Sequence, residues 1–256
     1  MKVISWNISY LKANDVKLKY LLSLLKNEEF VAVLQEVTQK AYQELEVIFH
    51  GYPKEYSLEY RPMGKYDTKS RGLGIAIITS KNIKIIKTNV LHRALLPERT
   101  LLVKCSLDDC QFSVLGLHSI TGCDHKKAKS LQFYSFAEEI DTHRPDIVCI
   151  DANEPEIDNI SVSSMKFFDN KDRGKGAKTF FETMTDCGLA DAYSNINRNE
   201  NSLPFSHIVA GKHKKRYDFV FIKRNIFEIS NMIYDYDNGL SNGSDHAILI
   251  TDICHP

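Results

Sequence analysis

Ser244-Asp245-His246-Ala247-Ile248-Leu249-Ile250, close to the C-terminus, sets a carboxylate and an imidazole at the mouth of an apolar run of strand length. Side by side, these two groups can hold a metal or a water and stabilise developing charge in one small volume. The same string serves equally well as a polar turn before a strand, so its meaning depends on partners elsewhere. Other strand mouths supply them. Asn7 follows Val3-Ile4-Ser5-Trp6, Glu36 follows 31–35, His118 follows 112–117, Asp151 and Asn153 follow 146–150, and Asp218 precedes 219–222. In antiparallel neighbours the start of one strand lies beside the end of the next, so residues after some strands and before others share one rim. Each alone reads as a turn former or helix-entry residue. Turns, however, need neither histidine nor glutamate at such places.

The 33 Lys and Arg residues balance the 33 Asp and Glu residues in the 256-residue chain. That balance, with a pI of 7.1, argues against whole-molecule attraction to nucleic acid or anionic membrane and makes any polyanion binding local. Three local basic segments exist: Lys212-His213-Lys214-Lys215-Arg216, then Lys171, Arg173, Lys175 and Lys178, then Lys126, Lys127 and Lys129. Such runs are most often solvated faces. Hydrophobic content of 43% and charged content of 26% describe an ordinary globular chain. Six cysteines form no CxxC pair, and Cys149 lies in an apolar run, which fits a reducing compartment. His118, Cys123 and His125 match no zinc spacing. The chain opens directly on a strand-like segment and has no bilayer-length apolar run, so a cytoplasmic protein without a membrane span is expected.

Residues 3–6 read as a strand, and Asn14 or Asp15 caps a helix with Val16, Leu21, Leu22, Leu24 and Leu25 inward. Residues 30–34 are a buried strand, and Thr38 opens a second helix that Gly51 stops. The middle changes character, with 72–79, 83–90, 99–107 and 111–118 forming an antiparallel meander. A helix over 126–140 ends before Pro145, and 146–150 is a strand. Residues 151–178 and 198–215 are polar loops around a short helix at 179–187, and 217–222, 226–233 and 247–251 close the sheets. Nearly continuous apolar strands demand cover on both sides. The expectation is one domain over 1–256, an α+β four-layer α/β/β/α sandwich of two mainly antiparallel sheets flanked by helices.

The ordered set Trp6-Asn7, Leu34-Gln35-Glu36, Gly116-Leu117-His118-Ser119, Asp151-Ala152-Asn153, Arg216-Tyr217-Asp218-Phe219-Val220-Phe221 and Ser244-Asp245-His246 resembles the endonuclease/exonuclease/phosphatase superfamily, the deoxyribonuclease I-like group, over essentially the whole chain. The resemblance implies a Mg²⁺-dependent phosphoesterase, with Mn²⁺ as an alternative ion. By position it implies metal binding by Glu36, with Asn7 nearby, and by Asp245. It implies that Asp151 orients or deprotonates water, that Asn153 contacts the phosphate, and that His246, oriented by Asp218, contacts the scissile phosphate. His118 would stabilise or protonate the leaving oxygen. Asp151 and His246 both stand as candidates for the base. Ser9 occupies a position that is Asp in the abasic-site branch, and no counterpart of that branch's tyrosine is found, which disfavours an abasic-site specialist. Ile150 stands where glycine is usual.

Two enzymatic readings follow: a nuclease on DNA or RNA, favoured by the basic run before Asp218, and a phosphatase or phosphodiesterase of a small or lipid head-group substrate, favoured by the neutral pI. A non-catalytic binding module on the same fold is a third, which the completeness of the site opposes. Protein partners are left open.

Overall fold

The computed structural model describes residues 1–10, 14–60, 72–121, 126–168, 173–196 and 203–254. The chain opens with β1 (Lys2–Asn7), α1 (Asn14–Leu25), β2 (Phe30–Val37) and α2 (Gln39–Ile48). Thr38 caps α2, its hydroxyl accepting from the Ala41 amide at 3.1 Å. Gly51, at φ +79°, turns the chain away. β3 (Lys54–Tyr56), α3 (Ser57–Tyr60) and β4 (Gly74–Thr79) follow, then β5 (Lys84–Asn89), β6 (Thr100–Leu107), β7 (Cys110–His118), α4 (Lys126–His143) and β8 (Ile147–Asp151). The last third holds α5 (Arg173–Asp186), β9 (Leu189–Asp191), α6 (Ala192–Ile196), a hairpin of β10 (His207–Val209) and β11 (His213–Lys215), β12 (Asp218–Lys223), β13 (Glu228–Asp235), α7 (Tyr236–Ser241) and β14 (Ile248–Cys254).

Two six-stranded sheets result, ordered β13-β14-β1-β2-β4-β3 and β5-β6-β7-β8-β12-β9. Each contains one parallel pair joined through a helix, β1 with β2 and β7 with β8, and its other pairs are antiparallel. The two sheets thus share one layout, a parallel pair set among antiparallel neighbours. Strand alternation sends successive side chains to opposite faces, and three cores follow. Val3, Val33, Ile77, Val103, Val114 and Val220 meet between the sheets. Ile4, Trp6 and Leu34 face Leu21 and Leu45 of the helices outside one sheet. Val148, Ile150 and Phe219 face Phe133, Phe136 and Phe180 outside the other. Burying each such side chain contributes about 1.5–3 kcal/mol. The four layers are therefore α/β/β/α.

Several sequence expectations change. Residues 72–79 do not join the meander: β4 pairs with β2 in the first sheet, and a tight turn, with the Ile83 amide on the Ser80 carbonyl at 3.0 Å, carries the chain into the second. In α1 Val16 is half exposed, while Lys17 is fully buried with its ammonium 2.7 Å from the Ser9 carbonyl. A buried ammonium is tolerated there because carbonyls at the end of β1 accept its hydrogens. α5 starts at Arg173, earlier than the glycines at 174 and 176 suggest. Gly176 is a packing glycine, since a Cβ there would sit 2.1 Å from the Ser130 carbonyl oxygen of α4. Inside the second polar loop lies the β10–β11 hairpin, turned by Ala210 (φ +51°) and Gly211 (φ +67°), the pair of left-handed positions that a type I′ turn requires. Cys123 and His125 lie outside the described residues, as do Lys171 and residues 198–202. Among the described residues no helix is long and apolar enough to cross a membrane.

Candidate active site

Strand parity builds the site. In β1 Val3 faces the other sheet, so Ser5 and Asn7 do too; in β8 Ile147 and Cys149 face inward, so Asp151 follows. His118 shares the parity of Val114 and Gly116, and Asp218 that of Val220. A Cβ at Gly116 would lie 2.6 Å from Ile75 and 2.7 Å from Val33, so the sheets close tightly just below His118. Register then sets His118 opposite Asp151 on one side and Asp218 opposite Asp151 on the other.

Glu36 reaches the same rim by another route. Parity in β2 would send it with Leu34 into the outer helical layer. A bulge between Leu34 and Val37, with Glu36 in the left-handed region at φ +58°, turns it inward instead. A left-handed glutamate costs on the order of 1–3 kcal/mol and persists where surrounding structure over-determines it. Ser9 (φ +48°) and Asn153 (φ +50°) share that conformation at the same rim.

The side chains interlock. Asn7 donates from Nδ2 to Asp151 Oδ2 at 2.9 Å and accepts from the Ser9 amide at 2.9 Å. Asp151 Oδ1 accepts from the Asn153 amide at 3.1 Å. Glu36 Oε2 accepts from the Tyr10 amide at 3.3 Å, and Glu36 Oε1 lies 3.6 Å from His118 Nε2, which is itself 3.8 Å from Asp151 Oδ2. Across the rim His246 donates from Nδ1 to Asp218 Oδ2 at 2.9 Å. Atoms of Asp151, Asp218 and His246 lie within 4.8 Å of one another. Asp245 is exposed, and it groups with His207 and His246.

Electrostatics divides the roles. Burial pushes Asp151 up to about 7, reinforced by the charges of Asp218 and Glu36 and opposed by His246 and by the Asn7 hydrogen bond. Burial alone would lower His246, but Asp218, through charge and hydrogen bond, with Asp151 and Asp245, raises it to about 10. Burial lowers His118 well below the ordinary histidine value, and Arg99, His246 and Lys129 lower it further, so it is a neutral imidazole. Burial works to raise Asp245, yet His246 and His207 outweigh it and hold the carboxyl below its ordinary value.

The site also contains residues that sequence reasoning did not assign. Arg99 Nη1 lies 3.3 and 3.4 Å from the two ring nitrogens of His118. An in-plane atom equidistant from both would collide with the ring, so the guanidinium nitrogen lies over the ring face. His207 stacks on His246 with centroids 4.5 Å apart and planes 24° apart. Lys129, in a run expected to be solvated, is fully buried, donating to the Asn153 carbonyl at 2.6 Å and pairing with buried Glu154 at 3.4 Å. Gln132 donates to the His118 carbonyl at 3.2 Å. Arg99 and His207 carried no local signal, because each acts through a contact between residues far apart in sequence.

The donor set suits a hard divalent cation. Glu36 and Asp151 supply carboxylate oxygens with Asn7 alongside, and Asp218 Oδ1 is buried without a hydrogen bond within the protein. Crowded carboxylates of this kind gain from a positive ion.

No known family model matches the chain, and no curated protein sequence matches it. Solved structures do. The Xenopus laevis APE2 catalytic domain superposes with a TM-score of 0.70 at 18% identity, over 100% of this chain and 93% of that one. D. rerio TDP2 complexed with single-strand DNA product gives 0.68 at 14% identity, over 99% and 98%. An endonuclease/exonuclease/phosphatase protein from Bacteroides vulgatus gives 0.63 at 15%, over 100% and 98%. The chain has the endonuclease/exonuclease/phosphatase fold.

Proposed function

We propose that this chain is a divalent-cation-dependent phosphodiesterase of nuclease type, hydrolysing DNA or RNA by in-line attack of water. The observation that carries the reading is the buried His246–Asp218 pair set against Asp151. Phosphoryl transfer needs a positioned water, neutralisation of the phosphate oxygens and help for the departing group. Asp151 at about 7 can accept a proton from water near neutral pH. His246, raised to about 10, is protonated at that pH and supplies positive charge to a phosphate oxygen, which supports Asp151 as the base. Neutral His118 presents an N–H to the leaving oxygen, and Asn153, held by Lys129 and the Asp151 carboxylate, offers its amide to the phosphate. Mg²⁺, or Mn²⁺ in its place, would be held by Glu36 beside Asn7, with Asp245 at the outer edge, and would supply Lewis-acid stabilisation of phosphate charge.

Nucleic acid as substrate is supported by the exposed Lys212, His213 and Lys214 on the hairpin whose base touches His246, and by the single-strand DNA product in the D. rerio TDP2 structure. Incubation with single- and double-stranded DNA and RNA, with Mg²⁺, Mn²⁺ or chelator, tests the reading. Metal-dependent chain cleavage supports it, and no cleavage of any polymer overturns it. The equal count of acidic and basic residues favours a second reading, a small or lipid head-group phosphoester, which phosphate release without polymer cleavage would select. The five described cysteines are free, in keeping with a reducing, cytoplasmic setting.

A further inference from the structure

We propose that His207 is a positioning residue of the reaction, the side wall that holds the His246 ring in the plane it needs to meet the scissile phosphate. The proposal rests on the phosphodiesterase reading given above. His246 is held in its own plane by one hydrogen bond, Nδ1 to Asp218 at 2.9 Å. That bond and the covalent tether through Cβ hold one edge of the ring, and the opposite edge, which carries Nε2, is left to tilt out of the plane. The stacked ring of His207 blocks that motion: the centroids are 4.5 Å apart and the planes 24° apart.

His207 is itself anchored. Its Nδ1 lies 3.0 Å from the Asp245 carbonyl oxygen. A carbonyl only accepts, so Nδ1 carries the hydrogen and the tautomer is set. Backbone contacts tie the two histidines further, through an antiparallel bridge between His207 and His246 and an Ala247 amide bonded to the Ser206 carbonyl at 2.7 Å. Ser206 in turn accepts from the amides of Tyr217 and Asp218 at 2.9 and 3.0 Å, which locks the base of the hairpin to the strand that carries Asp218. Tyr217 packs on the His207 side as well, with ring centroids 6.3 Å apart and planes 24° apart. His207 is thus built into the same frame as the Asp218–His246 pair, and a small misplacement of a reacting group costs about 10²-fold in rate.

The test separates the flat ring from its polar atoms. His207→Phe keeps a ring to stack and removes Nδ1–H; His207→Asn keeps an amide donor and removes the ring; His207→Ala removes both. With bis(p-nitrophenyl) phosphate and Mn²⁺, the Ala and Asn variants should lose about 10- to 100-fold in kcat with KM within about twofold, while the Phe variant stays within about threefold of the parent. The His246 Nδ1–H proton shared with Asp218 should give a downfield NMR signal in the parent and in His207→Phe, and should broaden or shift in His207→Asn. An Ala or Asn variant with the parent's kcat, or a Phe variant as impaired as Asn, overturns the proposal. If the parent hydrolyses no phosphodiester, the functional reading fails, and the NMR comparison still decides whether His207 positions His246. Should His207→Ala fail to fold, the Phe and Asn variants carry the same comparison.

Discussion

His246 Nδ1 lies 2.9 Å from Asp218 Oδ2, the two side chains meeting across the sheets' open edge from residues 28 apart in sequence. The carboxylate accepts the Nδ1 hydrogen and keeps His246 charged, with the second hydrogen on Nε2 free for a phosphate oxygen. Asp218→Asn keeps the shape but loses the charge. Turnover should fall by about two to four orders of magnitude, with KM changing far less, because the lost stabilisation acts in the transition state. Steady-state kinetics on a phosphodiester substrate checks this, and a change confined to KM would contradict it.

The pH dependence of the rate follows from the two shifts. Asp151, raised to about 7 in the absence of an ion, must be ionised to take a proton, so activity rises with pH along an acidic limb. His246 must be protonated, so activity falls as pH passes about 10. A bound cation beside Asp151 favours its ionised form and moves the acidic limb to lower pH. Asp151→Asn should abolish the acidic limb together with most of the activity. A pH–rate profile in which Asp151→Asn keeps the parent's acidic limb would remove Asp151 from the role of base.

Stability carries the same signature with the opposite sense. Asp151 has a folded value raised above its unfolded one, so its contribution to stability is full below about 3.8 and is lost as pH rises through about 7. His246 is raised too: its contribution is full below about 6.5 and is lost as pH passes about 10. A divalent cation relieves the repulsion around ionised Asp151. Mg²⁺ or Mn²⁺ should therefore raise Tm over the chelated protein more at pH 8 than at pH 5, by calorimetry or fluorescence. A larger gain at pH 5 would contradict the assignment.

Much of this frame was legible in the chain because strand parity and strand ends follow from local pattern. Asn7, His118, Asp151 and Asp218 each end or begin an apolar run, and the parity that buries Val3, Val114, Cys149 and Val220 carries those four to one edge. Glu36 too was read at a strand mouth, while its bulge was not, since nothing in Leu34-Gln35-Glu36-Val37 announces a left-handed glutamate. Arg99, His207 and Lys129 stayed hidden for a different reason. Each owes its place to a tertiary contact, with His118, His246 and Glu154 respectively, across 19 to 39 positions of sequence. The glycines of α5 concealed its first turns because helix propensity reads them as breaks, whereas packing on α4 requires one of them.

The basic run before Asp218 divides into two parts with different consequences. Arg216 is buried, forked onto Asp158 at 2.7 and 3.0 Å and bonded to Asp191 at 2.6 Å, with Phe219 beneath it at 4.6 Å. It is a structural cation and not part of a polyanion surface. Arg216→Met leaves two carboxylates uncompensated in a buried place, a loss of about 3–5 kcal/mol. Lys212, in the hairpin turn, and Lys214, on β11, are exposed, and Lys214 lies 4.3 Å over the Phe205 ring. Lys212→Glu with Lys214→Glu should leave Tm unchanged while raising KM for an oligonucleotide and flattening the dependence of log KM on log salt by about one unit per lysine that contacts phosphate. Hydrolysis of bis(p-nitrophenyl) phosphate, which offers no neighbouring phosphates, should stay at the parent's rate. Thermal melts and salt-dependent kinetics on both substrates decide the matter, and equal loss on the two substrates would place these lysines in the frame of the site instead of on its polymer-binding surface.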